Sequence, residues 1–166
     1  MSTERTALLT RVYTVAERLN IDKKLTDNII RAYLQSCKDE ILRGYTVNFC
    51  GLALIVPDVQ SNDCKMTLAF RCRNIARSNA FSYYTVLQVV KEYMKTIEED
   101  IFQARSANIY GLVTLRPLKQ NGVVTRVHST LSHRLQDYLC ENGNHARVHT
   151  NKSFKRRVKE AKIHDG

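Results

Sequence analysis

Ile41-Leu42-Arg43-Gly44-Tyr45-Thr46-Val47-Asn48-Phe49-Cys50-Gly51-Leu52-Ala53-Leu54-Ile55-Val56-Pro57 has a counterpart sixty residues on, Ile101-Phe102-Gln103-Ala104-Arg105-Ser106-Ala107-Asn108-Ile109-Tyr110-Gly111-Leu112-Val113-Thr114-Leu115-Arg116-Pro117. Each stretch leaves an apolar helix pattern, passes a short strand-like run, turns at Asn-x-x-Gly-Leu and ends a second run at proline. The match extends upstream without a gap, laying residues 26–57 over 86–117. Tyr33 meets Tyr93, and the apolar helix positions keep their character as Ile29/Val89, Ile30/Val90, Leu34/Met94 and Cys37/Ile97. The acidic helix ends also correspond, Asp39-Glu40 with Glu99-Asp100. A unit that recurs at a fixed period usually cannot bury its apolar face alone. The expected fold is therefore α+β, with two long helices packed beneath two small antiparallel sheets about a pseudo-two-fold axis.

Working outward, Leu8, Val12, Val15 and Leu19 recur at helical spacing, and Asp22 is placed to cap the longer helix that follows. That helix carries Leu25, Ile29, Ile30, Tyr33, Leu34, Cys37 and Ile41 on one stripe, with Gly44 as its C-terminal stop. Residues 45–49 and 52–56 read as strands and residues 66–72 as a third. In the second copy a strand is expected near residues 123–128 and a helix from about Leu131 to Cys140, with the first short helix reduced or missing. The boundaries are then 1–80 and 81–141 for the two units and 142–166 for a basic tail.

Of the 166 residues, 43% are hydrophobic and 25% charged, the balance of a folded chain with a proper core. Apolar runs such as residues 52–57 are too short to span a bilayer, and Met-Ser-Thr-Glu-Arg at the start has no apolar leader, so no membrane partner is expected. The five cysteines include no CxxC pair, and three sit in apolar patterns, so they read as reduced core thiols. The 26 Lys and Arg against 16 Asp and Glu give +10, half of it from Arg147 onward. Such a balance favours polyanionic partners.

The stretch from Ile41 to Val56, with its charged-Gly turn, strand, Gly-containing turn and second strand, resembles the HU/IHF family of bacterial DNA-binding proteins. The resemblance covers residues 7–77 and again 82–140. It departs from the family in having one glycine at the turn where two are usual, and Leu52 in place of an aromatic. It implies two N-terminal helices, a hairpin, an arm, a return strand and a final helix per unit. Family members are intertwined dimers, so two copies in one chain would supply both halves internally. The family grips DNA with long basic β-arms tipped by a proline wedge, which unstacks a base step. The matching segments here, residues 58–65 and 118–122, are short and lack proline, and the first holds Asp58 and Asp63 against Lys65. Family-style bending is not expected.

Candidate phosphate contacts are Arg71, Arg73 and Arg77 on and beyond the expected return strand, with Arg126 and Arg134 near matching places in the second copy. Alternation along a strand would put such side chains on one face. The tail supplies Arg147, Lys152, Lys155, Arg156, Arg157, Lys159 and Lys162, with Phe154, Val158 and Ala161 along one helical face, able to meet nucleic acid or a partner protein.

No Gly-rich phosphate loop, HExxH or G-x-S-x-G occurs. Cys140, His145 and His149 form a C-x4-H-x3-H spacing without a second cysteine pair, so neither metal nor cofactor is expected. Glu98-Glu99-Asp100 reads as a solvated helix end. No enzyme is expected. Two functions stay open. One is a non-catalytic, nucleoid-associated or architectural protein binding DNA phosphates with little sequence readout. The other is a structural protein of a bacteriophage particle, in collar, neck or tail, that reuses the fold and contacts neighbouring structural proteins. The setting would be the cytoplasm of a bacterial host or the virion, and a homo-oligomer is compatible with either.

Overall fold

A computed structural model describes residues 3–61 and 66–165. The chain order is α1 (Thr3–Leu19), α2 (Lys23–Leu42), β1 (Val47–Asn48), β2 (Ala53–Pro57), α3 (Leu68–Asn79), α4 (Tyr83–Phe102), β3 (Ala107–Ile109), β4 (Val113–Gln120), β5 (Val123–Leu131), α5 (His133–Glu141), β6 (Ala146–Thr150) and α6 (Lys152–Asp165). The architecture is α+β, with six helices and two three-stranded antiparallel sheets among the described residues. No helix among those residues is long and apolar enough to cross a membrane.

The two twenty-residue helices form the centre. Asp22 caps α2 by accepting from the Leu25 amide at 3.0 Å. The α2 stripe from Ile29 to Ile41 is buried, as is the α4 stripe of Val86, Val89, Val90, Tyr93, Met94, Ile97 and Ile101. Burying each such side chain contributes about 1.5–3 kcal/mol relative to leaving it in water. Gly44 follows α2 at φ +93, and a Cβ there would lie 2.8 Å from both the Ser61 amide nitrogen and the Val59 carbonyl oxygen. The loop after β2 is thus laid against a residue that has to be glycine.

Residues 66–72 are not a third strand. The Thr67 hydroxyl accepts from the Phe70 amide at 3.1 Å and starts α3, which buries Arg71, Cys72, Ile75 and Ala76. The alternation of Met66, Leu68, Phe70 and Cys72 imitates a strand. The helical spacing of Leu68, Cys72, Ile75 and Ala76 decides the outcome, because it lets α3 pack on α2 and α4. A helix therefore stands where the second copy's first helix was expected to be reduced or missing. Element boundaries fall at a common offset of sixty: α1 and α3 end at Leu19 and Asn79, α2 and α4 span Lys23–Leu42 and Tyr83–Phe102, and β2 and β4 begin at Ala53 and Val113.

The first sheet has the order β1-β2-β6 and the second β3-β4-β5. Residues 142–166, read as a basic tail, contain both β6 and α6. Strand β6 pairs with β2 from Ala53↔Thr150 to Pro57↔Ala146. Phe154 and Val158 of α6 are buried in the core rather than offered to a partner. Phe154 meets Phe102 of α4 edge-on at 5.8 Å between ring centroids. The sheets touch through their third strands, where the Thr150 hydroxyl donates to the Val127 carbonyl at 3.1 Å and lies 2.6 Å from Ser129 Oγ.

Candidate nucleic-acid interface

The expected basic residues fall into four places. Arg71 is withdrawn from any ligand. It is 1% exposed, and its guanidinium binds the buried Glu40 carboxylate, with Nε at 2.8 Å from Oε2. Its burial follows from the helix that replaced the expected strand: on α3, position 71 faces α2. Arg73 and Arg77 lie on the exposed side of α3, and Arg73 sits over the Tyr83 ring at 5.4 Å from its centroid. They share a helix face rather than a strand face.

Arg126 on β5 and Arg147 on β6 point outward from the two sheets. Strand pairing brings further groups beside them. Arg116 of β4 stands directly opposite His128 of β5, Arg126 opposite Leu118, and His149 and Arg147 of β6 opposite Leu54 and Val56. Arg116, Arg126, His128, Arg147 and His149 are all exposed, while the alternate residues Leu115, Val127 and Thr150 face the core. Arg147 has one loose contact, 3.8 Å from the Asp58 carboxylate, and both side chains are largely solvated. Arg116, His128 and His149 were not among the sequence candidates. Their signal is the period-2 spacing of Arg126/His128 and Arg147/His149, together with the absence of any acid from Ser106 to Gln136.

Arg134 is exposed at the start of α5. Lys152, Lys155, Arg156 and Lys159 are exposed on α6, whereas Arg157 binds Glu98 of α4 and lies over the Phe154 ring. The side chain of Lys162 lies outside the described residues, as do residues 62–65 of the first expected arm. The second arm is a tight hairpin: Gln120 pairs with Val123 across Asn121-Gly122, both at positive φ.

The acids of α4 are engaged instead of forming a solvated end. Glu99 binds Arg18 at 2.8 Å, and Asp100 binds Arg11 at 2.7 Å and Arg105 at 2.8 Å. Negative charge on the helical side is thus matched locally. Cations without a carboxylate partner among the described residues include Arg116 and Arg126 of the second sheet, Lys152, Lys155, Arg156 and Lys159 of α6, and Lys38, Arg73, Arg77 and Arg134 on other helices. Between Ser106 and Lys159 the chain has ten Lys and Arg against Asp137 and Glu141 alone.

The thiols of Cys37, Cys50, Cys72 and Cys140 are free. Cys140 and His145 line one cavity, while His149 lies on the outward face of β6. Among the described residues no three metal-ligating side chains come together. Comparison with protein-family models, curated proteins and solved structures gave no match.

Proposed function

We propose that this chain joins two HU/IHF-like units about a pseudo-two-fold axis and binds nucleic acid through its phosphates, without catalysis and with little sequence readout. The sixty-residue offset supports the two-unit reading, and so does the closing segment of each sheet. The Ser132 amide donates to the Leu112 carbonyl at 2.9 Å and the Asn151 amide to the Leu52 carbonyl at 2.9 Å. The helices that follow bury Leu135 and Leu139 in one case and Phe154 and Val158 in the other. On this reading β6 and α6 complete the first unit, as β5 and α5 complete the second.

The observation that carries the function is the set of outward residues Arg116, Arg126, His128, Arg147 and His149 on the two sheets, together with the exposed Lys152, Lys155, Arg156 and Lys159 of α6. Cations on a β surface with Asp58 as the one carboxylate recorded beside them suit phosphate contacts, which position a duplex without reading bases. Binding measured by gel shift should weaken steeply with salt, log K falling by about 0.9 per log unit of salt for each phosphate neutralised. Arg116→Ala and Arg126→Ala should each lower that slope by about one contact across unrelated sequences. Absence of duplex binding at low salt overturns this reading.

One observation favours the assembly reading: the β4–β5 hairpin closes at Asn121-Gly122 and leaves no arm to wrap a groove. On that reading the same basic face rests on a neighbouring structural protein of a phage particle. Co-purification with assembled particles, in the absence of duplex binding, selects it.

A further inference from the structure

Between α2, the β3–β4 turn and the start of α5 lies a cavity of about 220 Å³. Arg31, Gln35 and Lys38 of α2, Tyr110 of the turn and Arg134 of α5 form its polar lining, and no carboxylate lines it. Asp27 and Asp39 lie on α2 outside the lining, where Asp27 holds Arg31 at 2.9 Å and Asp39 accepts from Gln35 at 2.9 Å. Lys38 rests over the Tyr138 ring, 4.2 Å from its centroid, and Arg134 is exposed. Neither Lys38 nor Arg134 has a carboxylate partner among the described residues.

The molecule contains its own control. Sixty positions on, Lys38 corresponds to Glu98, and nineteen positions on, Tyr138 and Arg134 correspond to Arg157 and Ser153. There Glu98 binds Arg157, so cation and anion both come from the chain. At the first place Lys38 and Arg134 share a lining that contains an aromatic ring and no carboxylate. Like charges held around a concave space repel until a counter-charge enters.

We infer that this cavity is a binding site for a small oxyanion, either inorganic phosphate or the phosphate group of a nucleotide, with Lys38 and Arg134 as its principal contacts. The volume is below the roughly 300–1,000 Å³ of sites for drug-sized ligands, which suits a phosphate group better than a whole cofactor. The site lies on a different part of the chain from the outward sheet residues and stands or falls separately from the duplex-binding reading.

The test is a phosphorus NMR titration of the full chain with inorganic phosphate and, separately, with adenosine monophosphate, at constant ionic strength set with chloride. Saturable binding of one equivalent is expected. Lys38→Glu, which places an acid where Glu98 stands, should weaken it by at least about tenfold. Where Lys38→Glu disturbs folding, as judged by circular dichroism, the exposed Arg134→Ala carries the same expectation. The exposed Lys95→Ala should leave the titration unchanged. Equal affinity for the two probes identifies phosphate itself as the ligand, and much tighter adenosine monophosphate identifies a nucleotide. Absence of saturable binding at millimolar concentrations, or binding indifferent to both Lys38→Glu and Arg134→Ala, overturns the inference.

Discussion

Arg71 of α3 places Nε and a terminal nitrogen on one carboxylate oxygen of Glu40 in α2. Sixty positions earlier, Arg11 of α1 makes the same kind of contact with Asp100 of α4. Thus α1 is tied to α4 and α3 to α2, each by one arginine–carboxylate pair. The two pairs differ in exposure, 1% and 5% for Arg71 and Glu40 against 14% and 23% for Arg11 and Asp100. Breaking a buried pair strands a charge that water cannot reach, which costs about 3–5 kcal/mol. Urea denaturation should therefore show Arg71→Ala or Glu40→Ala losing that much. The double change Arg71→Met with Glu40→Leu should recover most of it. Arg11→Ala, nearer water, should lose about 1 kcal/mol.

Asp100 gives the acid limb of stability. Burial raises its pKa, but the hydrogen bonds from Arg105 and Arg11 outweigh burial and leave it below the ordinary value. A folded value below the unfolded value of about 3.9 stabilises the fold above that pH, and the contribution is lost as pH falls through the folded value. The Tm gap between the native chain and Asp100→Asn should be constant near neutrality and narrow below about pH 4. A gap unchanged down to pH 2 rules out the proposed source.

Phe154 separates a structural α6 from a free basic tail. Its side chain is fully buried against Phe102, so Phe154→Ala should cost about 3–5 kcal/mol in urea denaturation. The neighbouring Lys155→Ala, exposed to solvent, should stay within about 0.5 kcal/mol. Equal effects from the two would mean that α6 is not docked.

Burial pushes the Cys37 thiol up to about 12 and the Cys50 and Cys72 thiols up to about 11, whereas Cys140 is exposed. The thiolate is the reactive form. In a Cys64→Ser variant at pH 8, a thiol reagent should modify Cys140 quickly, the half-buried Cys50 more slowly, and Cys37 and Cys72 only on unfolding. Rapid modification of Cys37 in the folded chain contradicts the burial of α2.

The long helices, the Gly51 and Gly111 turns and the sixty-residue offset are legible in the sequence because each is a local pattern: a stripe, a positive-φ residue, a period. The helix α3 is not, because Met66, Leu68, Phe70 and Cys72 satisfy a period of two while Leu68 and Cys72 also fit a helix, and the Thr67 cap alone does not arbitrate. Arg71 then looked like a surface cation, since only α2 packed beside it reveals Glu40. The candidate site is legible only in part. Among the outward sheet residues, Arg126 and Arg147 stand out in the sequence, whereas Arg116 enters only through its cross-strand pairing with His128. The pairing of β6 with β2 has no local signature, because Arg147 and His149 alternate with modest partners and the other strand is far away in sequence.

That pairing sets an order of events during synthesis. Pro57 waits for Ala146, 89 positions later, before β2 has a neighbour on its second edge. At about 5–20 residues per second the ribosome takes roughly 4–18 s to deliver it. Until then the nascent chain presents an open strand edge, a template for pairing with another chain. Nascent chains stalled before residue 146 should need chaperone protection that finished chains do not.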